Sequence, residues 1–178
     1  LAKIGYWSYD KQTDAIFWSD AVHEIYGTDP KNGVPEIDVV LSFFEEESRK
    51  KLVHATIMLA TKGVPFDIVL QINNSNNEER WMRNIGEPLY NDKNEIIGRR
   101  GVSQDITEQK IKQNELDFKS VKLHDLNNAL NQAQKLSNIG SWHWDMTADH
   151  AEWSDEMYSI YGVAKGDFYP SNENVTKT

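Results

Sequence analysis

The sequence predicts an α+β chain: an antiparallel sheet with helices segregated to one face, a long connecting helix, and the start of a second copy of the same plan. Three observations carry this. The hydrophobic period runs two short strands, then helices, then three longer strands, an order that places helices over one side of a sheet. Residues 1–27 reappear without a gap at 136–162, with twelve of 27 aligned positions identical. Between the copies, Thr107 to Asn138 contains neither glycine nor proline. The offset of 135 residues is the size of a domain, too long for a solenoid period.

Ile4 to Asp10 reads as a strand with Trp7 and Tyr9 on one face, and Ala15 to Trp18 as a second after the turn-like Lys11–Asp14. Ser19 or Asp20 supplies an N-cap oxygen. Val22, Ile25 and Tyr26 then follow at i, i+3 and i+4, an apolar stripe that the second copy keeps as Met157, Ile160 and Tyr161. Gly27 and Gly162 stand where a C-terminal glycine ends a helix. Thr28 to Pro35 is loop, and Ile37 to Phe44 a small helix or turn. Glu45 to Lys62 is a longer helix, acidic at its start and basic at its end, as the helix dipole favours. Gly63 and Pro65 stop it.

The period then changes to two. Phe66, Ile68, Leu70 and Ile72 alternate with Asp67, Val69 and Gln71. Arg80 to Tyr90, interrupted near Gly86 and Pro88, and Ile96 to Ile106 complete a meander with polar turns at Asn73–Asn77 and Asn91–Asn94. From Thr107, which can cap it, a helix of about 28 residues would extend on the order of 42 Å. Leu116, Leu123 and Leu130 recur every seven residues, with Leu126 in the companion position, a modest coiled-coil seam weakened by Lys112 and Lys119.

Composition excludes several classes. The chain has 178 residues, a net charge of −9 and no cysteine. Its acidity gives no electrostatic case for nucleic acid. Disulfides, thiolate nucleophiles and cysteine metal sites are ruled out. His23, His124, His143 and His150 show no spacing suited to a metal. No apolar run approaches the roughly 20 residues that span a bilayer and no signal-peptide pattern opens the chain, so the expected location is the cytoplasm.

The residues Gly5-x-Trp7-x-x-Asp10, Trp18-Ser19 and Ile25-Tyr26-Gly27 together resemble the opening of a PAS sensor domain. Gly98-x-x-Gly101-Val102-x-Gln104-Asp105-Ile106-Thr107-Glu108 resembles the PAC segment that closes one, and Trp81-Met82 stands where the family often has an aromatic–aliphatic pair. In this family the turn before Trp81 usually carries Asp-Gly; this chain has Asn73-Asn74-Ser75-Asn76-Asn77. The resemblance implies a PAS/PAC domain over 1–106 with a five-stranded antiparallel sheet, a helical linker over 107–135, and an incomplete second PAS domain over 136–178. It implies a non-catalytic sensory or relay module of a bacterial signalling protein, a sensor histidine kinase or alternatively a diguanylate cyclase, with the effector outside this chain. A homodimer through the linker helix or the PAS faces is the expected assembly.

A PAS-like core can hold a small ligand between sheet and helices, in a pocket of apolar walls and few polar groups. The candidates are Trp18, Tyr26, Phe44, Phe66, Trp81 and Arg83; the alternative is a dry aromatic core with Arg83 at the surface. The residues name no cofactor. Cysteine-linked flavin or chromophore chemistry is excluded, and His54, on a polar helix face, argues against haem. Asp105, Ile106 and Thr107 are the candidate signal junction, where the last strand runs into the helix. His124-Asp125-Leu126-Asn127-Asn128-Ala129-Leu130 resembles the phosphoacceptor box of some histidine kinases, with a carboxylate beside the imidazole to take a proton. Such a helix needs a second helix and an ATP-binding domain, and here the second copy begins twelve residues later. That copy, as a fragment, has little beyond itself to cover Trp142, Trp144 and Trp153, and residues after about 165 are expected to be poorly ordered or packed on a neighbour.

Overall fold

The computed structural model describes residues 3–147, 150–167 and Pro170. The chain divides into two compact units, Leu1–Gln113 and Asn114–Thr178. In the first, β1 (Ile4–Asp10) and β2 (Ala15–Trp18) form a hairpin followed by α1 (Asp20–Tyr26), α2 (Ile37–Ser42) and α3 (Glu46–Lys62). The meander β3 (Phe66–Asn73), β4 (Glu79–Tyr90) and β5 (Ile96–Asp105) follows. The five strands make one antiparallel sheet in the order β2-β1-β5-β4-β3. β4 runs unbroken through Gly86 and Pro88, its register shifting only between Leu89 and Tyr90.

The core lies between the helices and one sheet face. Val22, Ile25 and Tyr26 of α1 meet Val40, Phe44, Leu70, Ile72 and Met82 there. Period-2 alternation decides which strand residues face it: in β4, Met82, Asn84 and Gly86 are buried while Arg83 and Glu87 are exposed. α1 ends at Gly27 (φ 70°) and α3 at Gly63 (φ 65°), both in the left-handed region that glycine tolerates.

The two meander turns share one construction. Asn74 Oδ1 accepts from the amides of Asn76 and Glu78, both at 3.0 Å, and its Nδ2 donates to Glu78 Oε2 at 2.9 Å. Asn91 does the same with Lys93 and Glu95, its Nδ2 donating to Glu95 Oε2 at 2.8 Å. Asn77 and Asn94 take the left-handed position, at φ 59° and 61°. The five-residue asparagine turn thus replaces Asp-Gly with a side-chain-organised loop.

α4 (Thr107–Ser137) begins one residue earlier than a Thr107 cap would require, with Ile106 in the capping position. The Ile106 carbonyl accepts from Lys110 N at 2.9 Å, and the Asp105 carboxylate takes the Thr107 amide at 2.9 Å.

The second unit repeats the opening as β6 (Trp142–Asp145), β7 (His150–Trp153) and α5 (Asp155–Tyr161). Trp142 faces Trp153 across its hairpin as Trp7 faces Trp18. Trp153 is well covered, against expectation: α5 brings Tyr158 and Tyr161 onto it, with ring centroids 5.5 and 4.7 Å away, and leaves it 8% exposed. Trp142 stays 62% exposed. The expectation for the chain after 165 falls largely on 168–169 and 171–178, outside the described residues.

The paired Gly5 and Gly140 have a steric cause. A Cβ on Gly5 would stand 2.6 Å from Val22 N at the start of α1, and one on Gly140 2.9 Å from Met157 Cα. Gly5→Ala is expected to lower the unfolding free energy by ~1–3 kcal/mol, the usual cost of overpacking. Urea denaturation checks this, and an unchanged midpoint would show that α1 yields without cost.

Candidate functional site

A cavity of about 340 Å³ opens between the sheet and the helices of the first unit. Beneath its floor two glycines face each other across β4 and β5, Gly86 and Gly101. Over them lie the rings of Trp7 and Phe66, stacked at 6.3 Å and 13°. A Cβ on Gly101 would stand 2.5 Å from the Trp7 ring, and one on Gly86 2.6 Å from Phe66. Val22 and Tyr26 of α1, Val40 and Leu41 of α2, and Leu52, Val53 and Thr56 of α3 supply the walls, with Trp18 at the β2 edge.

Few polar groups reach this space: chiefly Asn84, Ser103, Arg99 and Thr56. Asn84 Oδ1 accepts from Trp7 Nε1 at 2.9 Å, with Ser103 Oγ at 3.5 Å. The Asn84 side chain is thereby oriented and its Nδ2 is left over. Tyr26 is stacked on Trp18 at 4.6 Å and buried, and burial pushes its phenol above the usual tyrosine range.

Trp18, Tyr26 and Phe66 line the cavity; Phe44, Trp81 and Arg83 do not. Phe44 is buried behind Tyr26, its ring 6.0 Å away. Trp81 and Arg83 occupy the odd positions of β4 and so face away from Met82 and Asn84. Arg83 grips Asp67 through Nε and Nη2, at 2.8 and 2.5 Å, which holds that carboxyl below its usual range and raises the guanidinium. Trp81 lies beneath the Lys110 ammonium, 5.3 Å from the ring centroid. Trp7, Asn84, Arg99 and Ser103 escaped the sequence reading. The signal for them was the same alternation, set one residue out of phase in β4, and the glycine pair that leaves room for Trp7.

Asp105, Ile106 and Thr107 come together in one network. Asp105 Oδ1 accepts from the Thr107 amide at 2.9 Å and its hydroxyl at 2.6 Å, while Thr107 Oγ1 accepts from Trp81 N at 2.9 Å. Arg80 closes it, reaching Asp105 Oδ2 at 3.2 Å. Ile106 N donates to the Trp81 carbonyl at 2.8 Å. Along α4, Leu116, Leu123, Leu126 and Leu130 are all exposed, between 55% and 68%. His54 and His124 are exposed, and no cluster of three metal-ligating side chains occurs among the described residues.

The PAS fold family matches residues 15–103, half of the chain, and this protein belongs to it. Solved structures agree on the fold. A sensory box histidine kinase/response regulator from Burkholderia thailandensis E264 superposes with a TM-score of 0.54 at 20% identity, over 69% of this chain and 92% of that one. The N-terminal domain of a diguanylate cyclase with PAS/PAC sensor from Marinobacter aquaeolei gives 0.53 at 16%, over 61% and 99%. An RNA-binding light-oxygen-voltage receptor gives 0.55 at 16%, over 74% of this chain and 36% of that one. No curated protein matches significantly. Among the described residues, no helix is long and apolar enough to cross a membrane.

Tyr26 makes stability depend on pH. Its folded value lies above the unfolded one of about 10, so the unfolded chain ionises first; the contribution is complete below that value and is lost as pH rises past it. Wild type is expected to lose up to ~1.4 kcal/mol per pH unit more than Tyr26→Phe above pH ~10. Parallel stability–pH curves for the two would refute the burial effect.

Proposed function

We propose that this chain is a non-catalytic, cytoplasmic sensory module of a bacterial signalling protein, a histidine kinase or otherwise a diguanylate cyclase. In this reading a small molecule occupies the cavity and its presence is passed through the β5–α4 junction into the connecting helix. The observation that carries it is the Asp105–Thr107 network. One carboxylate and one hydroxyl tie the β4 backbone, the end of β5 and the first turn of α4 into a single polar unit. A shift of β4 against β5 cannot occur there without disturbing the first turn of the helix. Trp7, Phe66, Asn84 and Ser103 sit on those same strands or beside them, so occupancy of the cavity bears on the strands that hold the junction. Two populated arrangements of the sheet, differing in ligand affinity, complete the mechanism.

The exposed leucines of α4 support pairing with a second copy. Burying a leucine side chain stabilises by ~1.5–3 kcal/mol, so four along one seam suffice to hold two helices together. Sedimentation of the full chain is expected to give a dimer, and Leu123→Glu with Leu130→Glu a monomer; a wild-type monomer removes the dimer reading.

The junction is tested in the parent protein. Thr107→Val leaves the part-buried Trp81 amide without its acceptor, at a cost of ~1–3 kcal/mol, and Asp105→Ala removes both bonds to Thr107. Both variants are expected to abolish the change in output on stimulation while the stimulus ligand still binds. A normal response from both would reject the junction as the route.

A further inference from the structure

Arg99 is the one cavity residue whose charge nothing answers. On the sheet, Arg80 holds Asp105 and Glu78, Arg83 holds Asp67, and Arg100 holds Glu87. Arg99 forms no ion pair or side-chain hydrogen bond among the described residues. It lies on β5 opposite Tyr9, on the face that carries Gly101 and Ser103. Its guanidinium carbon stands 4.3 Å over the Tyr9 ring. The Tyr9 hydroxyl donates to Asp14 Oδ1 at 2.9 Å, so that carboxylate is engaged by the phenol. A cation–π contact of this kind uses none of the guanidinium N–H donors, so they stay available. Partial burial lowers its proton affinity, the direction expected of a cation without a counter-charge.

A second, independent group points into the same space. Asn84 is 6% exposed, and its Nδ2 has no partner among the described residues. Among the described residues no fully buried side-chain nitrogen or oxygen is left unpaired, so that amide opens to the cavity that Asn84 lines. Asn84 stands opposite Ser103, four residues along β5 from Arg99, about 13 Å at the usual rise per residue. Between the two ends lie Trp7, Trp18 and Phe66, all apolar surface.

We propose that this cavity takes a small carboxylic acid, its apolar body laid against Trp7, Trp18 and Phe66 and its carboxylate held by the Arg99 fork. An oxygen at the far end of such a molecule meets the Asn84 amide. The carboxylate is the group that matches the fork in a plane, and its charge removes the mismatch of a half-buried arginine in an otherwise apolar site. The chain's net charge of −9 does not oppose this at contact range, because exposed charges more than about 10 Å away are largely screened at 0.1 M salt. The assignment rests on the reading of the cavity as a ligand site.

The test uses three probes of equal chain length, octanoate, octanol and octylamine, with the full chain near neutral pH. Trp7 and Trp18 report binding by fluorescence, and calorimetry gives affinities. Octanoate is expected to bind at least about tenfold more tightly than octanol, the scale of one charge-assisted contact, with octylamine weakest. Arg99→Met is expected to erase the preference for octanoate without weakening octanol, and Arg99→Lys to keep part of it. The wild-type ranking stands even if a variant fails to fold. Equal binding of octanoate and octanol overturns the carboxylate assignment and leaves the cavity as a ligand site. Binding of none of the three overturns the assignment as well. If native mass spectrometry of the purified chain then finds no co-purifying small molecule, the ligand-site reading falls with it.

Discussion

The cavity exists because two glycines stand opposite each other in the middle of the sheet. A side chain at Gly101 would meet the Ile85 carbonyl at 1.9 Å as well as the Trp7 ring, so this position tolerates no Cβ at all. With Gly86 beside it, the sheet has a flat, bare strip on which Trp7 and Phe66 lie down instead of standing up into the helices. Had they stood upright, as strand side chains ordinarily do, they would occupy the volume that is now open. The lowered rings then have a further effect. Trp7 brings its indole N–H to Asn84, which fixes the amide and turns its unused donor toward the open space. Backbone sterics at one cross-strand pair thus decide both the room and its polarity.

The same strands carry the other end of the structure. β4 contributes Asn84 to the cavity, Gly86 beneath the Phe66 ring, and Arg80 and the Trp81 amide to the junction with α4. The alternation of the strand separates these duties. Even positions from Met82 to Gly86 turn to the core, and odd ones present Trp81 and Arg83 on the far face. Lys110 over Trp81 adds a contact from the helix onto that far face. The cavity and the helix start therefore meet the two sides of one strand, with no intervening loop.

Much of this was legible in the residues. Regular alternation marked β3, the i, i+3, i+4 stripe marked α1, and the absence of glycine and proline marked α4. Those signals are local, and local signals decide local structure. The site was legible only in part. Trp18, Tyr26 and Phe66 declare themselves by size and apolarity and do line the cavity, but Trp81 is as large and lies outside it. Which face of β4 is buried follows from register against β3 and β5, a long-range fact. An arginine stands at both phases, Arg83 and Arg99, and sequence alone gives no reason to prefer the one that lacks a carboxylate neighbour. That distinction depends on Asp67 lying across the strand from Ile85, diagonal to Arg83, and on Asp14 being engaged by Tyr9.

The internal repeat separates these two kinds of information. In the first copy Trp18 is flanked by His23 at 5.4 Å and Tyr26 at 4.6 Å; in the second, Trp153 is flanked by Tyr158 at 5.5 Å and Tyr161 at 4.7 Å. Ser19 accepts from the Tyr6 amide at 2.9 Å, and Ser154 from that of Ser141 at 3.0 Å. Hairpin, serine lock, aromatic clasp and left-handed glycine recur together at almost the same distances, although His23 and Tyr158 differ in chemistry. The hairpin, serine and ring contacts just named fall within the 27-residue segment, although Tyr26 also packs on Phe44 and Trp7 bonds to Asn84. The cavity is not encoded in this way. The glycines beneath its floor, its amide and its arginine all come from β4 and β5, some 80 residues further along the chain. The clasp and the cavity therefore draw on different stretches of the chain, although Trp7, Trp18, Val22 and Tyr26 of the opening also line the cavity.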